Sequence, residues 1–166
     1  MKNNVLFILL FTSTFIFSQH INTRFIAVDK GATEKFEKGV AKKTKTFNSK
    51  EGQLRFYTFQ VNTGSNMGNY MRVRYEDEMK GFDVNPSKEA MKLWNAEVSD
   101  IMTNMDGRMQ SLNKNASHVV VSPFSKPLRT VMEYTYKGGM SDEFWRFRNN
   151  VAKAVKESGA DIFMEV

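Results

Sequence analysis

From Asn22 to Val28, bulky and β-branched side chains gather at Phe25, Ile26 and Val28, which predicts a first strand. Phe36, Val40 and Phe47 then fall at close to whole helical turns. They predict a helix that Thr33 caps and that Asn48 to Gly52 ends. Gln53 to Val61 reads as a strand, Asn62-Thr63-Gly64-Ser65-Asn66 as a turn, and Asn69 to Glu76 as the returning strand of a hairpin. Past Asn85-Pro86, Ser87 is placed to cap a helix. Trp94, Val98, Ile101, Met105, Met109 and Leu112 recur in three- and four-residue steps, which predicts one long helix to about Asn113 with Gly107 as its weak point. Strands are predicted at His118 to Ser122 and Arg129 to Tyr136, joined through Pro123 to Pro127. Gly138-Gly139 breaks the chain. Ser141 then starts a helix with Phe144, Phe147, Val151 and Val155 on one face and Gly159 at its end, and Asp161 to Val166 reads as a last strand.

The order β-α-β-β-α-β-β-α-β predicts an α+β domain: an antiparallel or mixed sheet of about six strands with three helices packed mainly on one face, a ferredoxin-like layering. A sheet with helices on one side and water on the other alternates apolar with polar. Here Leu54 and Phe56 point one way while Tyr57, Phe59 and Val61 point the other, and Val131 opposes Met132, Tyr134 and Tyr136. Both faces of these strands therefore need cover. Either a second sheet from a partner chain or a bound ligand supplies it, and a homodimer is expected, because soluble monomers rarely expose large apolar patches.

This pattern, βαββαβ with an added strand-helix-strand and two-sided strands, resembles the ferredoxin-like dimeric α/β-barrel superfamily, which includes the antibiotic-biosynthesis-monooxygenase-like proteins. The resemblance lies in element order over most of residues 22–166. It implies two sheets facing each other across a homodimer and a small apolar ligand between sheet and helices. Haem-degrading members of that group use a histidine on a helix; the long predicted helix here has none, so no catalytic residue is carried over.

The N-terminus changes the picture of compartment. Lys2 precedes an unbroken apolar run from Val5 to Phe11, and Phe15-Ile16-Phe17 leads to Ser18-Gln19-His20. That is the export-signal pattern, and the run falls short of the ~20 residues needed to span a bilayer. The expectation is a signal peptide over residues 1–19 and a single mature domain over 20–166, periplasmic or secreted. The 166 residues include no cysteine, which excludes disulfides, thiol catalysis and cysteine-built metal sites. The net charge of +6 is spread among acids. Its densest stretch, Lys42-Lys43-Thr44-Lys45, is expected on a solvated helix face, so no nucleic-acid partner is expected.

No nucleophile elbow, zinc-protease motif or phosphate loop is present. Tyr70, Arg72, Arg74 and Glu76 share one strand face. The plain reading of that face is a solvated or edge one with Glu76 as ionic partner; the sharper reading is a pair of guanidinium forks for a carboxylate or phosphate. Trp94 and Tyr134, with Met105, are candidates to line an apolar cavity, and His118 is the one histidine inside the mature domain. The candidate ligand-binding set is thus Tyr70, Arg72, Arg74, Trp94, His118 and Tyr134, with no metal ligand and no cofactor. The functional expectation is a domain that binds a small apolar or anionic ligand between sheet and helices. The alternatives are an envelope protein-interaction module and, behind it, a copper site built on Met102, Met105 and Met109. Core packing is the simpler use of those thioethers.

Overall fold

The computed structural model describes residues 19–119 and 128–166. All but the last residue of the expected signal peptide, and most of the strand and turn predicted at 118–127, lie outside the described residues. Four strands, β1 (His20–Val28), β2 (Tyr57–Gln60), β3 (Tyr70–Glu76) and β4 (Met102–Ser111), form one sheet in the order β2-β3-β1-β4 with every neighbouring pair antiparallel. With α1 (Thr33–Phe47) between β1 and β2 and α2 (Lys88–Glu97) between β3 and β4, residues 20–111 complete a βαββαβ ferredoxin-like unit. A third helix, α3 (Ser141–Ser158), packs against the 3-10 turn Lys114–Ala116.

The core lies between the sheet and the α1–α2 pair. Ile26, Phe36, Val40, Tyr70, Val98 and Ile101 are buried together there, with Trp94 and Met102 packed against them. Phe36 and Tyr70 bring their rings to 4.4 Å between centroids, and the Tyr70 hydroxyl donates to Glu37 Oε1 at 2.7 Å. The helices approach closely because α1 carries Gly39 at the crossing. A Cβ there would stand 2.8 Å from Val98 Cγ2.

The expected long helix is not formed. Ser87 does cap a helix, its side chain accepting from the Ala90 N–H, but α2 stops at Glu97 and the chain turns through Ser99–Ile101 into β4. The apolar steps Met102, Met105 and Met109 are compatible with a helix. However, Thr103, Asn104, Asp106 and Gly107 between them are poor helix formers, and pairing with β1 satisfies their backbone instead. Thr33 is likewise the first helical residue rather than the cap, Ala32 holding that position without a side-chain bond.

Of the three further strands expected, His118 and Met164 form one isolated bridge and residues 128–136 run without strand pairing among the described residues. The sheet has four strands rather than about six. Tyr57 and Phe59 do lie opposite Phe56, as the alternation predicts: they pair with Val73 and Met71, whereas Thr58 pairs with Arg72. Their face is covered from within the chain. The Arg129 guanidinium lies 5.0 Å from the Phe59 ring centroid and 5.9 Å from that of Phe163, and the Tyr75 hydroxyl donates to Glu165 Oε2 at 3.0 Å. Val73 and Thr23 on this face are consequently buried. A partner sheet is thus not required to cover it.

Candidate functional site

The helix-side face of β3 carries Tyr70, Arg72 and Arg74, all buried, so the solvated-face reading of this strand is corrected. Sequence alternation places the three together; what buries them is α1 and α2 above and the 3-10 turn Met79–Asp83, with Phe82, beside them. Tyr70 lies deepest, in the core. Burial and the bond to Glu37 push its hydroxyl pKa up to about 12, so it stays protonated.

Arg74 is fully engaged. Its Nε donates to Glu76 Oε1 at 2.6 Å, Nη1 to the Val84 carbonyl at 3.0 Å and Nη2 to the Gly81 carbonyl at 2.5 Å, with the Phe82 ring 5.2 Å away. Arg72 is partnered differently. It donates from Nη1 to Thr58 Oγ1 at 2.9 Å, and its guanidinium lies 4.7 Å from the Phe56 ring centroid and 4.8 Å from that of Trp94. Beside it Lys43 reaches in from α1, its Nζ donating to Asn48 Oδ1 at 2.9 Å and standing 4.9 Å from the same Phe56 ring.

Lys43 is 3% exposed and Arg72 6%, yet among the described residues neither forms a salt bridge. Removing two cations from water side by side is costly, and aromatic faces return only ~0.5–2 kcal/mol per contact. The electrostatics register this strain. Burial, and then the charge of Arg72, lower the Lys43 pKa to about 8, while burial and then Arg24 lower that of Arg72 to about 10. Among the described residues the cluster thus holds three cations, Lys43, Arg72 and Arg74, against the one carboxylate of Glu76, walled by the half-buried rings of Phe56, Phe82 and Trp94. Such an arrangement can receive an anion: a guanidinium fork and an ammonium at one end, flat apolar surfaces beside them.

The structure therefore brings together four of the six candidate residues, Tyr70, Arg72, Arg74 and Trp94. His118 sits apart, its backbone bridging Met164. Tyr134 lies on the C-terminal segment, its ring 6.2 Å from Phe144 and 5.4 Å from the Arg148 guanidinium. Met105 is exposed on β4, so Trp94, Tyr134 and Met105 do not enclose a cavity. The methionines are not a buried helical stripe either. Met105 and Met109 stand on one strand at a separation of ~13 Å along it, too far apart to share one ion. Lys43, Phe56 and Thr58 complete the cluster; the sequence pattern sets Phe56 on the Leu54 side of its strand but joins none of the three to the site. By sequence Lys43 belongs to the basic run expected on a solvated face, and only the roll of α1 onto the sheet distinguishes it from its exposed neighbour Lys42.

No family model matches the chain, and no curated protein does. The solved structures similar to it include these two. One, from Nitrosomonas europaea, is assigned to the antibiotic biosynthesis monooxygenases; it is 14% identical, with a TM-score of 0.44 over 55% of this chain and 88% of that one. The other is an uncharacterized NIPSNAP-like domain protein from Burkholderia xenovorans, 10% identical, with a TM-score of 0.41 over 69% of this chain and 95% of that one. The fold assignment here stands on the strand order and pairing of the chain itself. Among the described residues, a cavity of about 370 Å³ is lined by Gln19, Asp77, Leu112, Lys114, Ser117 and Val119, none of which belongs to the cation cluster or carries an aromatic ring. No helix among the described residues is long and apolar enough to cross a membrane.

Proposed function

We propose that the chain is exported and that its domain binds a small anion with a flat apolar body, the charge meeting Lys43 and Arg72 and the body lying against Phe56 and Trp94. The observation that carries this reading is the burial of Lys43 and Arg72 with no carboxylate paired to either among the described residues, since a bound anion would supply the missing countercharge. Native mass spectrometry of protein purified from its own host tests it. A retained acidic compound, absent from the Arg72→Ala variant, is expected. Protein that carries no adduct and binds no aromatic carboxylate or sulfonate would defeat it. Sequencing the N-terminus of the same material tests export, the expected start being near Gln19 or His20.

A second reading has its own observation. Val131, Met132, Tyr134 and Phe147 are all more than half exposed on the C-terminal segment and α3. This supports contact with another envelope protein, which would co-purify with the wild type and be lost on Met132→Lys.

A further inference from the structure

β4 is an edge strand, exposed along almost its whole length, with Met105 53% and Met109 46% accessible. A long exposed edge of this kind is ordinarily short, charged or covered, because its free backbone groups template pairing with another chain. Which groups are free follows from the register. Leu112 N–H donates to the Gln19 carbonyl at 2.8 Å, and the pairing of Asn104 through Ser111 with β1 keeps that register. In an antiparallel ladder, hydrogen-bonded and non-bonded pairs alternate. The even-numbered residues of this stretch therefore turn their backbone groups to β1, and Met105, Gly107 and Met109 turn theirs outward. Among the described residues the Gly107 N–H accordingly finds no strand partner, and it donates to its neighbour Asp106 Oδ1 at 2.7 Å.

The sequence of this edge is complementary to itself about Gly107. We infer that β4 is the interface for a second copy of this chain, pairing antiparallel across a twofold axis at Gly107 so that two four-stranded sheets join into one. In that register Gly107 faces its own copy in a hydrogen-bonded pair, Met105 faces Met109 of the partner subunit and Met109 the partner's Met105. About six backbone hydrogen bonds result. On the opposite face Asp106 meets the partner's Arg108, in the closer non-bonded pairing, and Asn104 meets the partner's Gln110; the twofold repeats both contacts. A one-residue slip turns bonding groups away from each other. A two-residue slip in either direction sets Asp106 against its own copy or Arg108 against its own. Arg108 already touches Glu133, an exposed pair that leaves the guanidinium open to a second carboxylate. Gly107 at the axis lets the backbones meet with no side chain between them.

The inference makes a charge-reversal test specific. The purified wild type sediments as a dimer at tens of micromolar. Asp106→Arg and Arg108→Asp, each placing like charges in both pairs, sediment as monomers alone and as a dimer when mixed in equal amounts. The double variant Asp106→Arg/Arg108→Asp dimerises with itself and does not exchange with wild type, and it decides the matter if either single variant fails to fold. A monomeric wild type, single variants as dimeric as the wild type, or free exchange between the double variant and wild type overturns the assignment.

Discussion

The Lys43 ammonium and the Arg72 guanidinium face the same Phe56 ring, at 4.9 and 4.7 Å from its centroid, with no carboxylate paired to either among the described residues. One cation comes from a helix and the other from a strand that pairs with β1, so the fold itself forces the two charges together. A stability-optimised core would not do this.

If Arg72 holds an anion, Arg72→Ala should weaken binding of an aromatic sulfonate by roughly 1.5–3 kcal/mol, the range for a hydrogen bond to a charged group. The midpoint of thermal unfolding should hold or rise, because the variant also relieves repulsion of Lys43. Fluorescence titration with a naphthalene sulfonate, read against the wild type, checks both statements. Equal affinities would mean that the cluster is purely structural.

Lys43 gives the site a pH dependence whose sign is fixed. Its pKa is lowered from 10.5 to about 8 by burial and by Arg72. Between those values the unfolded chain keeps a proton that the folded one has shed, so the stability of the free protein should rise across this window. Anion affinity should run the other way, falling as the ammonium is lost above about pH 8. In Lys43→Met both dependences should flatten, as measured by denaturant unfolding and by the same titration.

Gly39→Ala should destabilise the protein by ~1–3 kcal/mol, the overpacking range, even though alanine is the better helix former. The new methyl would meet Val98 Cγ2 at 2.8 Å, and Val98 is wholly buried and cannot withdraw. A urea midpoint at or above that of wild type would show that α1 and α2 separate easily.

Phe59→Lys is expected to lower stability by ~2 kcal/mol without changing the state of association. It sets a second cation where Arg129 now lies over an aromatic ring, inside one chain rather than between two. Dissociation of a dimer with unfolding unchanged would return this face to an intermolecular role.

Much of the fold was legible because its signals are local. Ile26, Phe36 and Val40 announce their elements by spacing, and the alternation of Leu54 to Val61 correctly divides Phe56 from Tyr57 and Phe59. β4 was misread because Met102, Met105 and Met109 satisfy helical steps, and only a long-range partner, β1, decides that the segment extends. The candidate site was half legible for a related reason. Tyr70, Arg72 and Arg74 share a face by period alone, whereas Lys43 belongs with them only once α1 has settled on the sheet. Trp94 was read from its stripe and Phe56 from its strand. Nothing in the sequence joined the two around a guanidinium.

The cover over Val73 and Thr23 comes late in the chain. Every strand of the sheet is in place by Ser111, but Arg129, Phe163 and Glu165 close the second face from well beyond it. Such a lid has few backbone ties to the strands beneath, so it is the natural first unit to come loose, ahead of global unfolding. Amide protons around Met164 should then exchange with solvent sooner than those of β1 and β3. Each such opening briefly bares Tyr57, Phe59 and Val73, a sticky surface that neighbouring proteins would test long before the sheet itself gave way.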